Sequence, residues 1–331
     1  MLYQSELQTG LAAVRQAAGL CRSVQSALAA VSMAKADSSP VTIADFGSQA
    51  LICRALRGAF PGDPVIAEEG AAELRTAEGA AFLRRVLEEC QRAGVECTAD
   101  DVCSWIDHGG ASTFSPRFWT LDPIDGTKGF LRSEQYAISL ALVINGQIEA
   151  GILGCPNMTF PGMTEPGVLA WAVRGGGAWQ RPLWKDNATA LPLQTTVTTS
   201  LDQLRVCESV ESGHSAHGWS GLIARDLGIT ADPLRMDSQC KYLAVARGDA
   251  DLYLRLPTKK GYAEKIWDHA GGVLLVQESG GMVTDICGRL CDFRQGSALT
   301  ANEGVVATNG RVHPIVLGAI SRNRPAAGAT L

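Results

Sequence analysis

Apolar residues recur at helical spacing from about residue 4 to residue 35, with Leu7, Leu11, Val14, Ala18 and Cys21 on one face. This pattern predicts an amphipathic helix laid on a core. A second helix is predicted to start near Thr42 or Asp45, either of which can cap it, and to run through "DFGSQALICRALRGAF" to a Pro-Gly-Asp-Pro turn. "VIAEEG" reads as a short strand ending on acid. Between residues 71 and 117 the pattern supports one helix, around "GAAFLRRVLEECQRAG", and then a Gly/Ser/Pro-rich loop.

Strand-like runs follow at "FWTLD", "YAISLALVING" and "IEAGILGCP", the last two joined by the hairpin-type turn "NGQ", with a further strand at "GVLAWAVRGGGAWQ". From about residue 200 strand and helix patterns alternate through "LRVCES", "HGWSGLIARDLG", "LRMDS", "CKYLAVARGDA" and "DLYLRLP". The chain then closes with helix "DHAGGVLLVQESGG", strand "MVTDI" and helix "HPIVLGAISRN". These patterns divide the chain into an α+β half over 1–195 and an α/β half over 196–331. There is no internal repeat and no heptad pattern.

Composition narrows the function. At 331 residues, 46% apolar and 19% charged, the chain can bury a core without disulfides and has no compositional case for disorder. A net charge of −5 gives no footprint for nucleic acid or an anionic membrane, so an anionic partner must be small and met by local donors and metal ions. No apolar run reaches membrane-spanning length, and the N-terminus lacks the pattern of a signal peptide. The expected location is cytoplasmic, or organellar if a transit peptide has been removed. The 10 cysteines show no zinc spacing and mostly read as small buried hydrophobes in a reducing compartment, a reading favoured over a regulatory disulfide between Cys97 and Cys103 in their polar, irregular stretch.

The chemistry concentrates in "FWTLDPIDGTKGFLR". Asp122 and Asp125 are three apart and cannot share a face of a regular strand, but they converge at a strand end where Pro123 fixes the turn. Convergent carboxylates not consumed by arginines suit a hard divalent cation such as Mg²⁺. Gly126 and Thr127 then open a short helix whose free N–H groups face the same point and suit phosphate. An Asx-turn in which Asp125 merely caps that helix fits the same residues. Glu68 and Glu69 end a strand, and Asp268 in "IWDHAGG" is compatible with a ligand or an N-cap. Taken alone, Asp37 in "KADSSPVTIAD" reads as a surface acid.

Together, "AEEG", "DPIDGT" and "WDHAGG", in that order, resemble the lithium-sensitive, magnesium-dependent phosphatase superfamily of inositol monophosphatase and fructose 1,6-bisphosphatase. "KADSSPVTIAD", "DPIDGTKGFLR", "MDSQCKYLAVARGDADLYLRLP" and "GYAEKIWDHAGG" resemble its 3'(2'),5'-bisphosphate nucleotidases of yeast and plant type. "AEEG" departs from the usual "GEES", and the segment 71–117 resembles nothing in the family.

The resemblance implies an α/β (α+β) fold layered as an αβαβα sandwich. It also implies a monomeric enzyme holding about two to three Mg²⁺ ions per site and inhibited by Li⁺. Glu68, Asp122, the Ile124 carbonyl, Asp125 and Asp268 would hold metal; Asp37 and Thr127 would orient and deprotonate water. Gly126, Thr127, His214, Ser238, Lys241, Arg255 and Asp268 would meet the substrate, while His217 and His269 are read as structural and Lys128 and Arg132 stay open between solvated charges and rim contacts. The implied reaction is removal of the 3'-phosphate of adenosine 3',5'-bisphosphate, with 3'-phosphoadenylyl sulfate as a further substrate and a place in sulfur metabolism. Inositol polyphosphate 1-phosphatase or inositol monophosphatase activity is the alternative.

Overall fold

The structure, a computed structural model, describes residues 2–31, 39–210, 217–259 and 261–325, with the side chains of 28–31, 39–42 and 217 outside that description. The first helix, α1 (Gln4–Val31), buries Leu7, Leu11, Val14, Ala18 and Cys21 as their spacing requires. The second, α2 (Ser39–Ala59), begins earlier than expected, so Thr42 and Asp45 lie inside it and neither caps it.

Seven strands form the first sheet: β1 (Val65–Ala67), β2 (Arg117–Asp125), β3 (Ala137–Ile144), β4 (Gln147–Cys155), β5 (Val168–Val173), β6 (Gly177–Pro182) and β7 (Leu191–Pro192). They lie in sequence order, with β1 parallel to β2 and each later pairing antiparallel. Asn145 and Gly146 make the β3–β4 turn with φ of 51° and 80°, a conformation suited to the twist of a two-residue hairpin. The run "GVLAWAVRGGGAWQ" is two strands and not one, because its glycines fold it into the β5–β6 hairpin, with Gly175 and Gly177 at φ of 71° and 76°.

Two helices cover α2 from outside: α3 (Ala80–Arg92), as expected, and α4 (Ala99–His108), where a loop was expected. The signal for α4 is a capping box. The Asp101 N–H donates to Thr98 Oγ1 at 3.2 Å while the Thr98 N–H donates to Asp101 Oδ2 at 2.9 Å.

The second sheet combines β8 (Val206–Glu208), β9 (Leu234–Arg235), β10 (Leu252–Arg255), β11 (Met282–Thr284) and β12 (Val305–Thr308), in the order β11-β12-β10-β8-β9. The four-residue β12 carries no polar alternation because all four residues are buried, which hides it from a pattern reading. Four helices accompany this sheet: α6 (His217–Asp226), α7 (Cys240–Arg247), α8 (Ala270–Glu278) and α9 (His313–Arg322).

Strand periodicity sorts the side chains into three cores. Trp119 and Leu121 face α1 and α2, whereas Phe118 on the same strand faces α7 and α8. Tyr253 on β10 joins that middle core, while Leu252 and Leu254 turn to α6 and α9. The layers are therefore α1/α2, the first sheet, α7/α8, the second sheet and α6/α9, an αβαβα sandwich. Glycine lets the middle layer close: a Cβ on Gly271 would fall 2.7 Å from Ser139 Oγ, and one on Gly272 would fall 2.4 Å from the Tyr242 ring. The "AGG" after Asp268 thus seats α8 directly on the first sheet and against α7, which brings Asp268 over the acidic end of β2. Among the described residues no helix is long and apolar enough to cross a membrane, and all ten cysteines are free, Cys97 and Cys103 included.

Candidate active site

Asp122 and Asp125 both lie within β2, and the register with β3 shifts between them, pairing Asp122 with Ser139 but Asp125 with Ala137. That irregularity breaks the alternation of faces and lets two acids three apart line one cavity. Asp125 caps nothing: α5 (Thr127–Leu131) has Gly126 at its N-cap, left-handed at φ 90°, with no side-chain capping bond. Asp268 is likewise not a cap, since His269 occupies that position before α8. At five residues α5 has little macrodipole, so any anion binding there rests on the free N–H groups themselves.

The cavity encloses 390 Å³ and takes in Glu68, Asp122, Ile124, Asp125, Gly126, Thr127, Ser238, Lys241, Arg255 and Asp268. Every predicted site residue is therefore brought together except Asp37 and His214, which lie outside the described residues. Lys128 also lines it, but Arg132 does not; Arg132 instead pairs with Asp237 on the cavity wall and with Glu134.

Two polar residues buried in α2 hold the acidic loops. Ser48 Oγ donates to the Pro123 carbonyl at 2.9 Å, between the two aspartates. Gln49 grips the backbone of Glu69, accepting from its N–H at 3.0 Å and donating to its carbonyl at 2.7 Å. Opposite them stands Gln239, which the sequence reading missed. Its side chain donates to the Trp267 carbonyl at 2.8 Å and accepts from the Gly272 N–H at 3.0 Å and from Ser139 Oγ at 3.2 Å, fixing the segment that carries Asp268. Among Asp237, Ser238 and Lys241 it carries no mark in the sequence that sets it apart.

The electrostatics are those of an acid cluster short of positive charge. Burial, then Glu69 and Asp125, push Glu68 up to about 7, although a hydrogen bond with Asp122 works the other way. Burial and then Asp125 push Asp268 up to about 7. Asp122 is raised well above the carboxylate range by burial and by Glu68, Asp125 and Asp268. Asp45, buried in α2, adds to the same field and is itself raised by burial and by Glu69 and Glu68. Facing them is a basic wall. Lys241 is 4% exposed, with its ammonium 5.2 Å from the centre of the Tyr253 ring, and Arg255 lies beside it at the end of β10.

These residues fit divalent metal. Asp122 Oδ1 is buried and has no hydrogen-bond partner, a costly state for an oxygen unless a cation takes it up. A different trio, Glu264, Asp268 and His269, brings its ligand atoms within 4.8 Å of one another, closer than any three of the predicted metal acids among the described residues. Glu264 and His269 are already bonded elsewhere: Arg255 Nε donates to both Glu264 oxygens, and His269 Nδ1 meets the Tyr242 hydroxyl. His269, expected to be only structural, thus stands on the cavity wall within a bonded network.

Comparison with known proteins bears on this arrangement. The chain is 43% identical over 330 residues to a 3'(2'),5'-bisphosphate nucleotidase of Schizosaccharomyces pombe, covering 93% of this chain and 92% of that one. It is 41% identical over 346 residues to a rice protein of the same name, covering 96% and 94%. Among solved structures, an inositol monophosphatase of Thermotoga maritima superposes with a TM-score of 0.65 at 19% identity, covering 97% and 98% of the two chains. CysQ of Bacteroides thetaiotaomicron gives 0.63 at 19% identity, covering 94% and 99%. The family model for inositol monophosphatases matches residues 3–324, from the first helix to the last, and the chain belongs to the inositol monophosphatase family.

Proposed function

We propose that the protein is a magnesium-dependent 3'(2'),5'-bisphosphate nucleotidase that hydrolyses the 3'-phosphate of adenosine 3',5'-bisphosphate to AMP and phosphate. One observation carries this reading: a single cavity sets a cluster of acids, with Asp122 fully buried among them, against a buried lysine and a half-buried arginine. Such a site has one end for a phosphate to be cut and another for a phosphate to be held. An inositol monophosphate has no second phosphate for the basic wall, whereas a nucleoside bisphosphate does. The nucleotidase relatives from fission yeast and rice support the same substrate.

Glu68, Asp122, the Ile124 carbonyl, Asp125 and Asp268 would hold the metal, which when bound neutralises phosphoryl charge and lowers the pKa of water. By their places in the motifs, Thr127 and Asp37 orient a water on the phosphorus, Thr127 Oγ1 passing its proton towards the Asp37 carboxylate. The P–O3' bond breaks as the new P–O bond forms, and N–H groups at Gly126 and Thr127 receive the phosphoryl oxygens. Lys241 and Arg255 hold the 5'-phosphate, and Ser238 and His214 meet the nucleoside. About two to three Mg²⁺ ions, inhibition by Li⁺, action on 3'-phosphoadenylyl sulfate, a place in sulfur metabolism, a monomeric state, a cytoplasmic location and a division of the chain near residue 195 belong to the same proposal.

The test is phosphate release from adenosine 3',5'-bisphosphate with and without Mg²⁺ and with Li⁺ added, beside inositol 1-phosphate and inositol 1,4-bisphosphate. Faster turnover of either inositol phosphate would replace this reading with the inositol phosphatase one.

A further inference from the structure

Glu264 lies four residues before Asp268 in "AEKIWD" and is 5% exposed, yet the proposed reaction gives it no role. Its two oxygens accept from Arg255 Nε at 3.1 and 3.2 Å. His269 Nε2 stands 3.4 Å from Oε2, and His269 Nδ1 is 2.7 Å from the Tyr242 hydroxyl. Tyr242 and His269 are both 1% exposed, so a chain of buried side chains runs from the middle layer to the guanidinium. Burial would raise the Glu264 carboxyl, but His269 and Arg255 outweigh it and hold it at about 2, so it is ionised across the working range.

Asp268 also attracts Arg255, though more weakly than Glu264 does. Were the guanidinium to settle on Asp268, it would consume an oxygen that the metal needs and leave the far end of the cavity without its cation. Glu264 opposes this by taking Nε, and the Tyr262 side chain also bonds Arg255, while Arg255 itself lines the cavity. A lysine could not be held this way, because it has no second donor edge.

We propose that Glu264 is a positioning residue that fixes the Arg255 guanidinium for the phosphate the enzyme holds but does not cut, and so sets the preference for a nucleoside bisphosphate over a nucleoside monophosphate. This rests on the reading that Arg255 meets that phosphate. A guanidinium fixed before binding loses less entropy when the ligand arrives, so the effect belongs in KM and only for substrates carrying the second phosphate.

The experiment measures kcat and KM for adenosine 3',5'-bisphosphate and for adenosine 3'-monophosphate in wild type, Glu264→Gln and Arg255→Ala, with Mg²⁺ present. The ratio of kcat/KM between the two substrates is expected to fall about tenfold or more in Glu264→Gln, mainly through KM for the bisphosphate. Equal losses on both substrates would mean a merely structural role and would overturn the proposal, as would an unchanged ratio. If Arg255→Ala leaves the ratio unchanged, the reading of Arg255 itself falls and takes the proposal with it. A ratio that falls in Arg255→Ala but not in Glu264→Gln rejects Glu264 alone. Should Glu264→Gln fail to fold, Glu264→Asp keeps the charge at shorter reach and is judged by the same ratio.

Discussion

The backbone N–H of Gln239 donates to Asp125 Oδ2 at 2.5 Å, so a turn of the second sheet's half holds a carboxylate of the first. The same residue ties down Trp267 and Gly272 through its side chain. Gln239→Leu keeps the backbone bond but orphans the buried partners of the amide. It is expected to cost about 1–3 kcal/mol of stability in urea denaturation and to reduce kcat through misplacement of Asp268. Wild-type kcat in a folded Gln239→Leu would show that the amide does not position the site.

Asp122→Asn removes one acid from a crowded acid cluster and one ligand from the proposed metal. Without metal, the variant is expected to melt no lower than metal-free wild type, because repulsion with Glu68, Asp125 and Asp268 is relieved. With Mg²⁺ the wild type gains melting temperature by linkage while the variant gains little, and turnover is nearly abolished. Calorimetry with and without chelator, beside a phosphate-release assay, checks all three.

His313 does not line this cavity; it is 1% exposed, 2.9 Å from Thr284 Oγ1 and 3.0 Å from Thr308 Oγ1. Burial pushes its imidazole down to about 4 from the ordinary 6.5. Between those values the unfolded chain takes up a proton that the folded chain refuses. Its contribution is therefore complete above about pH 6.5 and is lost as pH falls towards 4, an effect of up to about 3 kcal/mol. The stability gap between wild type and His313→Gln, measured by urea denaturation, is expected to narrow from pH 7.5 to pH 5.

Gly272→Ala places a methyl 2.4 Å from the Tyr242 ring. The ring is held by its hydroxyl bond to His269, so it cannot give way freely. The expected cost is about 1–3 kcal/mol of stability with a loss of activity, since Tyr242 lines the cavity. An unchanged melting temperature would mean that α7 and α8 can slide apart.

Much of the site was legible because its motifs are local. Each of "AEEG", "DPIDGT" and "WDHAGG" places its acid at the end of a strand or the start of a helix, where short-range pattern suffices. Gln239, Glu264 and Asp45 were not legible in the same way. Their partners are supplied by packing between layers, and a lone polar residue in the sequence does not say which backbone will reach it. The capping box at Thr98 was readable and was passed over within a mixed segment. The short β12 was not readable, because a strand buried on both faces has no period to detect.

The middle layer has one more consequence. Helices α7 and α8 press one side on each sheet, and their apolar residues form a continuous core between the sheets. Swinging the sheets apart would expose that core to water, so the molecule is a fixed socket and not a jaw. Binding and release then proceed without the sheets parting, and release of AMP becomes a matter of loosening its grip on the wall.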